Sequence, residues 1–438
     1  MSAGLAGGLS GPGDAARRLD GLDEVLAPAL SLYLDVHRHP ELAGAERRTA
    51  GRLARWLAED GFEVATGLGG HGVAGMLRAG PGPTVMVRAE LDALPVQERT
   101  GLPYASTVTA PGPDGPTPVM HACGHDLHLA AVAGTARLLA RARDSWSGSL
   151  LVVGQPAEET LAGARAMLED GLYDRFGTPA AVLAQHLAPM PAGMVAHGSG
   201  PMLAGSLTLR VVVHGRGGHA ATPQGTVDPV VTAAAIVTRL QTIVAREVAP
   251  AEQVVVSVGR LRAGAAGNIV ADRAELDVTV RALSEPTLAR VGDAVRRIVA
   301  AEAAASACDR DPDVSELSRS RPLLPDAGLA ATVADAHRVR FGPQRVADWP
   351  ASMATEDVTW FSQPPGSGTS VPLAYWVLGS AGPRAWAEAG ATAAERLAGL
   401  PGNHSPHFAP APALSLRTGI EALVTAVGAA RGSAGGLR

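Results

Sequence analysis

SLLVVGQPAEETLAGARAMLEDGLYDRFGTPAAVLAQHL, residues 149–187, holds two apolar runs, SLLVVG and AAVLAQ, separated by the helix-forming stretch GARAMLEDGL. Short apolar runs flanking an amphipathic segment of helical length predict strand, helix, strand, the unit of an α/β sheet. Both runs end in polar residues: Glu158 and Glu159 follow the first, and His186 follows the second. In open α/β sheets, sites form at the carboxyl ends of the strands, which is where these side chains fall.

Working outward, GVAGMLRAG and TVMVRAEL read as strands joined by the turn-forming PGP, and HLAAVAGTARLLARAR as a helix. From Gly21 to Asp60 the apolar spacing is helical, and HRHPEL interrupts it with a proline stop. Near Leu203 the pattern changes. LTLRVVVHG, DPVVTAAAIVTRLQTIVAR, QVVVSVGRL, AELDVTVRAL, TLARVGDAVRRIVAAEAAASA and VSELS follow in the order β-α-β-β-α-β, the split βαβ arrangement of a small α+β, ferredoxin-like domain. After about Arg321 the first pattern resumes, through LAYWVLG to a last helix over LRTGIEALVTAVGAA. The expected layout is an α/β domain of residues 1–202 and 321–438, a mixed sheet flanked by helices, interrupted by a smaller unit of residues 203–320.

A chain of 438 residues, 46% hydrophobic and 18% charged, is long enough for more than one core. Aromatics make up only 3%, so the cores must rest on Ala, Val and Leu. All 37 basic residues are Arg, which removes Schiff-base and general-base lysines from the possible mechanisms. A net charge of -5 argues against nucleic-acid or anionic-lipid partners and favours small-molecule chemistry. Cys123 and Cys308 cannot build a disulfide framework, and no apolar run reaches the roughly 18–20 residues of a membrane span. The N-terminal stretch lacks a secretory signal, so a cytoplasmic enzyme is expected, with floppy ends at residues 1–14 and from about Gly432.

The chemistry concentrates in a few short segments. In MHACGHDLH, Cys123 and His125 flank a glycine that lets a thiolate and an imidazole converge on an ion. The plainer alternative is a buried cysteine beside surface histidines. In GQPAEE, successive side chains point to opposite sides, so one of Glu158 and Glu159 can bind metal while the other works as a base. His186 in AQHLAP and His404 in GNHSPHF could be structural if each stood alone.

Together these segments resemble the zinc-peptidase-like amidohydrolases that include bacterial aminoacylases, hippurate hydrolases and the plant hydrolases of indoleacetyl-amino acid conjugates. HRHPEL, RAELDALPVQE, MHACGHD, QPAEE, GGHAATP, NIVAD, TEDV and NHSPHF occur in that family's order. The resemblance implies an α/β catalytic domain of the phosphorylase/hydrolase-like type, interrupted by a ferredoxin-like lid that also forms a homodimer. It makes Cys123, His125, Glu159, His186 and His404 ligands of two divalent ions per subunit (Zn, Mn, Co or Ni), with Cys123 bridging. It makes Glu158 the general base, Asp92 the carboxylate that orients a ligating histidine, and His219 the oxyanion donor. Asn268 and Arg281 would hold the carboxylate of an N-acyl amino acid, and Glu356 lies in a further motif of the family site. Three positions depart from the family: Glu90 replaces an Asp, Gln224 a His and Ala271 a Pro. A cysteine hydrolase using Cys123 as nucleophile would leave Glu158, Glu159, His186 and His404 without a task, and a non-catalytic binding protein would not need Glu158. A dipeptidase or carboxypeptidase on the same fold is the nearest alternative.

Overall fold

The structure, a computed structural model, describes residues 17–112 and 115–434. Residues 1–14, expected to be floppy, lie outside the described residues. The other expected loose end is helical: the helix Pro412–Ala434 continues past Gly432.

Two compact units emerge. The first comprises residues up to Gly200, Pro325–Trp349 and the stretch from Trp360 onward. Its sheet has eight strands in the spatial order Glu63–Leu68, Gly72–Arg78, Ser149–Gln155, Thr84–Glu90, Ala181–Pro191, Leu373–Ala381, Val195–His197, Val346–Asp348. The four central strands, Ser149–Gln155 to Leu373–Ala381, are mutually parallel, whereas Gly72–Arg78 and Val195–His197 pair antiparallel to their inner neighbours. The sheet is therefore mixed. The central strands are buried on both faces, which is why they read as continuous apolar runs.

Helices cover the sheet. In Leu22–Arg38, Leu22, Val25, Ala29, Leu32 and Val36 recur at the helical period and are buried. The helix His125–Arg141 is buried along most of its length and packs against Pro412–Ala434. Gly134 permits that approach, since a Cβ there would lie 2.5 Å from Ile420 Cδ1. Pro412–Gly432 is long and apolar enough to cross a membrane by length and composition, contrary to the sequence expectation that no segment is, but 72% of its most apolar 18 residues are buried inside the protein. It is a core helix.

The second unit comprises Pro201–Leu324 and Pro350–Thr359, so it also takes in a later segment not anticipated from the sequence. That segment joins because Ser352–Thr355 pairs with the strand Leu203–His214. The four main strands lie in the order Val254–Ala263, Arg273–Ala282, Leu203–His214, Asp313–Ser320, all antiparallel to their neighbours. Ala274, Leu276, Val278, Val280 and Ala282 alternate inward along their strand. They pack in one apolar cluster with Ile236 and Leu240 of the helix Pro229–Arg246 and Val291 and Ile298 of the helix Glu285–Ala305. Both helices start at side-chain caps, Asp228 accepting from Val230 N and Ser284 from Thr287 N.

Candidate metal centre

Parallel pairing sets the candidate centre. Glu90 lies opposite Gln155, so the segments bearing Asp92, Glu158 and Glu159 leave the sheet at its carboxyl edge; Arg88 lies opposite Ala184, which brings His186 level with that edge, although its own strand, expected to end there, runs on to Pro191. Gly124, at φ 87°, turns the chain into the helix His125–Arg141, placing Cys123 just outside and His125 at its first position.

The five donors proposed from sequence come together within the first unit. Cys123 Sγ lies 3.4 Å from His186 Nε2. His125 Nε2 is 3.9 Å from Glu159 Oε1, and His404 Nε2 is 3.4 Å from Glu159 Oε2. Ligand atoms of Cys123, His125 and Glu159 fall within 4.8 Å of one another. Glu158 Oε2 stands 3.8 Å from His125 Nε2.

The surroundings fix each ring. His125 Nδ1 faces the Asp92 carbonyl at 2.9 Å, so Nε2 is the nitrogen presented to the other donors. His186 Nδ1 likewise faces the Leu187 carbonyl at 2.9 Å. His404 is held at φ 69°, rare for a residue with a side chain, and its amide donates to the Ala122 carbonyl at 2.8 Å. Asn403 escaped the sequence reading: its Nδ2 donates to the carbonyls of Cys123 (3.1 Å) and Leu187 (3.3 Å) and so ties three ligand-bearing segments together. Its only signal was its place beside His404.

Glu90, His125, His128 and His186 form a second close group. His128 does not have a nitrogen to spare, because Nδ1 meets Glu90 at 2.9 Å and Nε2 accepts the Leu187 amide at 2.9 Å. It is a prop beneath His186. Glu90 is in turn paired with Arg88, which also donates to Gln155.

The donor set fits a cation. Among the described residues, His125 Nε2 and Glu159 Oε1 are buried without a hydrogen-bond partner, a costly condition that an ion would relieve. Burial opposes ionisation of Cys123, but the neighbouring His186 and His125 charges outweigh it and bring the thiol down to about 6. Burial likewise opposes a charged His186, yet the Cys123 thiolate raises it to about 9.

The remaining proposed residues lie in the second unit. His219 is exposed on the short strand Gly218–His219, paired with Ile269, and the Ala220 amide donates to the Asn268 carbonyl at 3.2 Å. Arg281 stands at the other end of the unit's sheet, opposite Ser206, and donates to the Met353 carbonyl at 2.7 Å. Eight residues of strand separate it from Arg273, roughly 26 Å, so one chain does not bring Arg281 and Asn268 to the same ligand atom. Glu356 is buried and accepts from the amides of Asp357 and Val358.

Residues 86–397 match the family described as Peptidase family M20/M25/M40. The chain belongs to this family. As an M20 member it is 32% identical to N-acetyl-L-cysteine deacetylase of Bacillus subtilis, over 80% of each chain. It is 40% identical to hippurate hydrolase of Campylobacter jejuni, over 58% of this chain and 63% of that one. A Bacillus subtilis crystal structure described as a dinuclear metal binding peptidase from the M20 family superposes with a TM-score of 0.70 at 26% identity, covering 93% of this chain and 99% of that one. This M20 chain is a metal-dependent hydrolase of linear amide bonds, and its donor cluster supports a metal cofactor.

Proposed function

We propose that the protein hydrolyses N-acyl amino acids to a carboxylic acid and a free amino acid, using two divalent ions held by Cys123, His125, Glu159, His186 and His404. The convergence of five metal-type donors from four separate segments carries this reading. Mixed thiolate, imidazole and carboxylate donors suit Zn, Mn, Co or Ni. Such ions, when bound, polarise an amide carbonyl and acidify water. Glu158, beside the donors but not needed to complete them, takes the proton of the attacking water and delivers it to the leaving amine. Asp92 orients His125, and His219 donates to the oxyanion that forms on the substrate carbonyl.

Arg281 and Asn268 recognise the substrate carboxylate, and their separation within one chain supports a homodimer in which the two come from different subunits. The second unit would then be the lid and dimerisation domain of the expected layout, with its boundaries near residues 203 and 320. Val231, Leu261 and Ile269 stand exposed on this unit, and Val254–Ala263 is an edge strand of its sheet, features a second copy would cover. The net charge of -5 supports a small-molecule substrate over nucleic acid or membrane, and two free cysteines suit a reducing cytoplasm.

The structural neighbour, described as a peptidase, favours one rival, a dipeptidase or carboxypeptidase-type exopeptidase on the same fold. Amine release from N-acetyl, N-benzoyl and longer N-acyl amino acids, compared with dipeptides, decides between them. Chelator should abolish the release, and added metal should restore it. Full activity of a preparation shown metal-free by elemental analysis would overturn the metal-dependent reading, and preference for dipeptides would overturn the substrate class.

A further inference from the structure

The loop bearing Glu158 and Glu159 is held in a shape its own residues disfavour. Ala157 (φ 50°) and Leu161 (φ 57°) both occupy the left-handed region, where a side chain crowds the backbone. The loop also closes on itself. The Ala157 carbonyl accepts from Thr160 Oγ1 at 3.1 Å, Ala162 N at 3.2 Å and Gly163 N at 3.3 Å, and the Glu158 carbonyl accepts from Leu161 N at 2.7 Å. Gly163 is required by the closure, since a Cβ there would lie 1.6 Å from the Pro156 carbonyl oxygen.

Two carboxylates from outside anchor this loop. Asp92 takes the amide of Glu159 at 2.9 Å, and Glu46 takes the amide of Ala157 at 2.8 Å. Glu46 is fully buried, 111 residues away in sequence, and its Oε1 also accepts the Gly44 amide at 2.8 Å. A carboxylate withdrawn from water needs a reason to be there, and these two backbone donors supply one.

We propose that Glu46 is the positioning residue for the general base: by accepting the Ala157 N–H it selects the left-handed backbone from which Glu158 is presented to the reacting water. This rests on the assignment of Glu158 as base. Without the acceptor, the Ala157 amide loses its partner and the backbone relaxes toward the negative φ that alanine prefers, which turns the peptide leading into Glu158. Glu159 keeps its own tether to Asp92, so the disturbance falls on the base more than on the ligand.

The test compares Glu46→Ala, Glu46→Met and Glu46→Gln in the full-length, metal-loaded enzyme, each with and without Ala157→Gly. The Met variant keeps the volume without the acceptor, in case the Ala variant does not fold. The readouts are kcat, KM, bound metal and hydrogen exchange of the peptide spanning residues 150–163. Ala and Met variants should lose about 10–100-fold in kcat, as small misplacements of a catalytic group commonly do, with KM and metal content nearly unchanged. Glu46→Gln, which retains an acceptor oxygen, should keep most of kcat. Glycine tolerates positive φ, so Ala157→Gly should recover part of the loss, about threefold or more, and return the raised loop exchange toward wild type. Equal losses in the Gln and Met variants, no recovery with Ala157→Gly, or unchanged loop exchange would each overturn the proposal. Glu158→Gln measured alongside separates the two claims: full turnover there would sink the base assignment, while loop exchange still reports on what Glu46 holds.

Discussion

The Asp92 carboxylate accepts the amide N–H of Glu159 at 2.9 Å. The same residue faces His125 Nδ1 with its main-chain carbonyl oxygen at 2.9 Å and, more distantly, with its Oδ1 at 3.2 Å, so one residue aims Glu159 by its carboxylate and His125 chiefly by its main chain. Removing such a support typically costs about 10–100-fold in metal affinity. Asp92→Ala should therefore bind metal that much more weakly in competition with a chromophoric chelator. An unchanged affinity would mean that the ligands are oriented without the Asp92 side chain.

Adjacent carboxylates should fail in different ways. Glu158→Gln is expected to keep its metal while losing about 10²–10⁴-fold in kcat, the usual worth of a positioned acid–base group. Glu159→Gln should lose metal first, because its carboxylate meets both His125 and His404. The reverse pattern, read by elemental analysis and turnover together, would interchange the two assignments.

Acid should destabilise the first unit through a pair of histidines unrelated to the centre. His197 Nε2 lies 3.0 Å from His337 Nδ1, and His337 Nε2 faces the Ala422 carbonyl at 3.0 Å. Burial pushes His337 down to about 4; burial, reinforced by the charges of His337 and Arg338, pushes His197 down to about 3. In the unfolded chain both titrate near about 6.5. Below that value the unfolded state binds protons that the folded state refuses, so stability falls as pH drops from 6.5 toward 4. At about pH 5 the loss is on the order of 2 kcal/mol per imidazole. Tm measured from pH 7 to 5 should fall less steeply in His197→Asn than in the wild type. Parallel slopes would remove the pair from the acid response.

Arg281 offers a direct check on substrate class. Its contact with the Met353 carbonyl uses one guanidinium donor of five. Hydrogen bonds to charged groups are worth about 1.5–3 kcal/mol, so Arg281→Ala should cost at least about tenfold in kcat/KM on an N-acyl amino acid. The loss should be far smaller on the corresponding amide, which has no carboxylate to hold. Similar losses on both substrates would detach Arg281 from carboxylate recognition.

Cys123, His125 and His404 were legible from their His-bearing motifs and the family order those motifs keep, whereas Glu158, Glu159 and His186 were legible because they follow apolar runs, whose ends a period-2 or run-length pattern marks without knowledge of the tertiary structure. The β-α-β-β-α-β order of the second unit was legible for the same reason. What escaped depends on contacts distant in sequence. The strand Glu63–Leu68 is half exposed and carries no apolar run, so only its pairing with Gly72–Arg78 defines it. Pro350–Thr359 joins the second unit through one short parallel pairing. Glu46 reads as an ordinary charge in AGAERRT, and nothing local says that it ends up fully buried against the amide of Ala157.

The order of strands in the eight-stranded sheet bears on how the polypeptide is made. Leu373–Ala381 sits between Ala181–Pro191 and Val195–His197, yet the ribosome delivers it only after the whole second unit has been synthesised. Bacterial and eukaryotic ribosomes add about 5–20 residues per second, so the long hydrogen-bonding edge of Ala181–Pro191 waits unpaired for about 10–40 s. Throughout that interval the nascent chain presents an apolar strand that can pair with a neighbouring chain as readily as with its own future segment. Yield during expression should accordingly depend on translation speed and on chaperones that shield this edge, even though the finished enzyme has it fully covered.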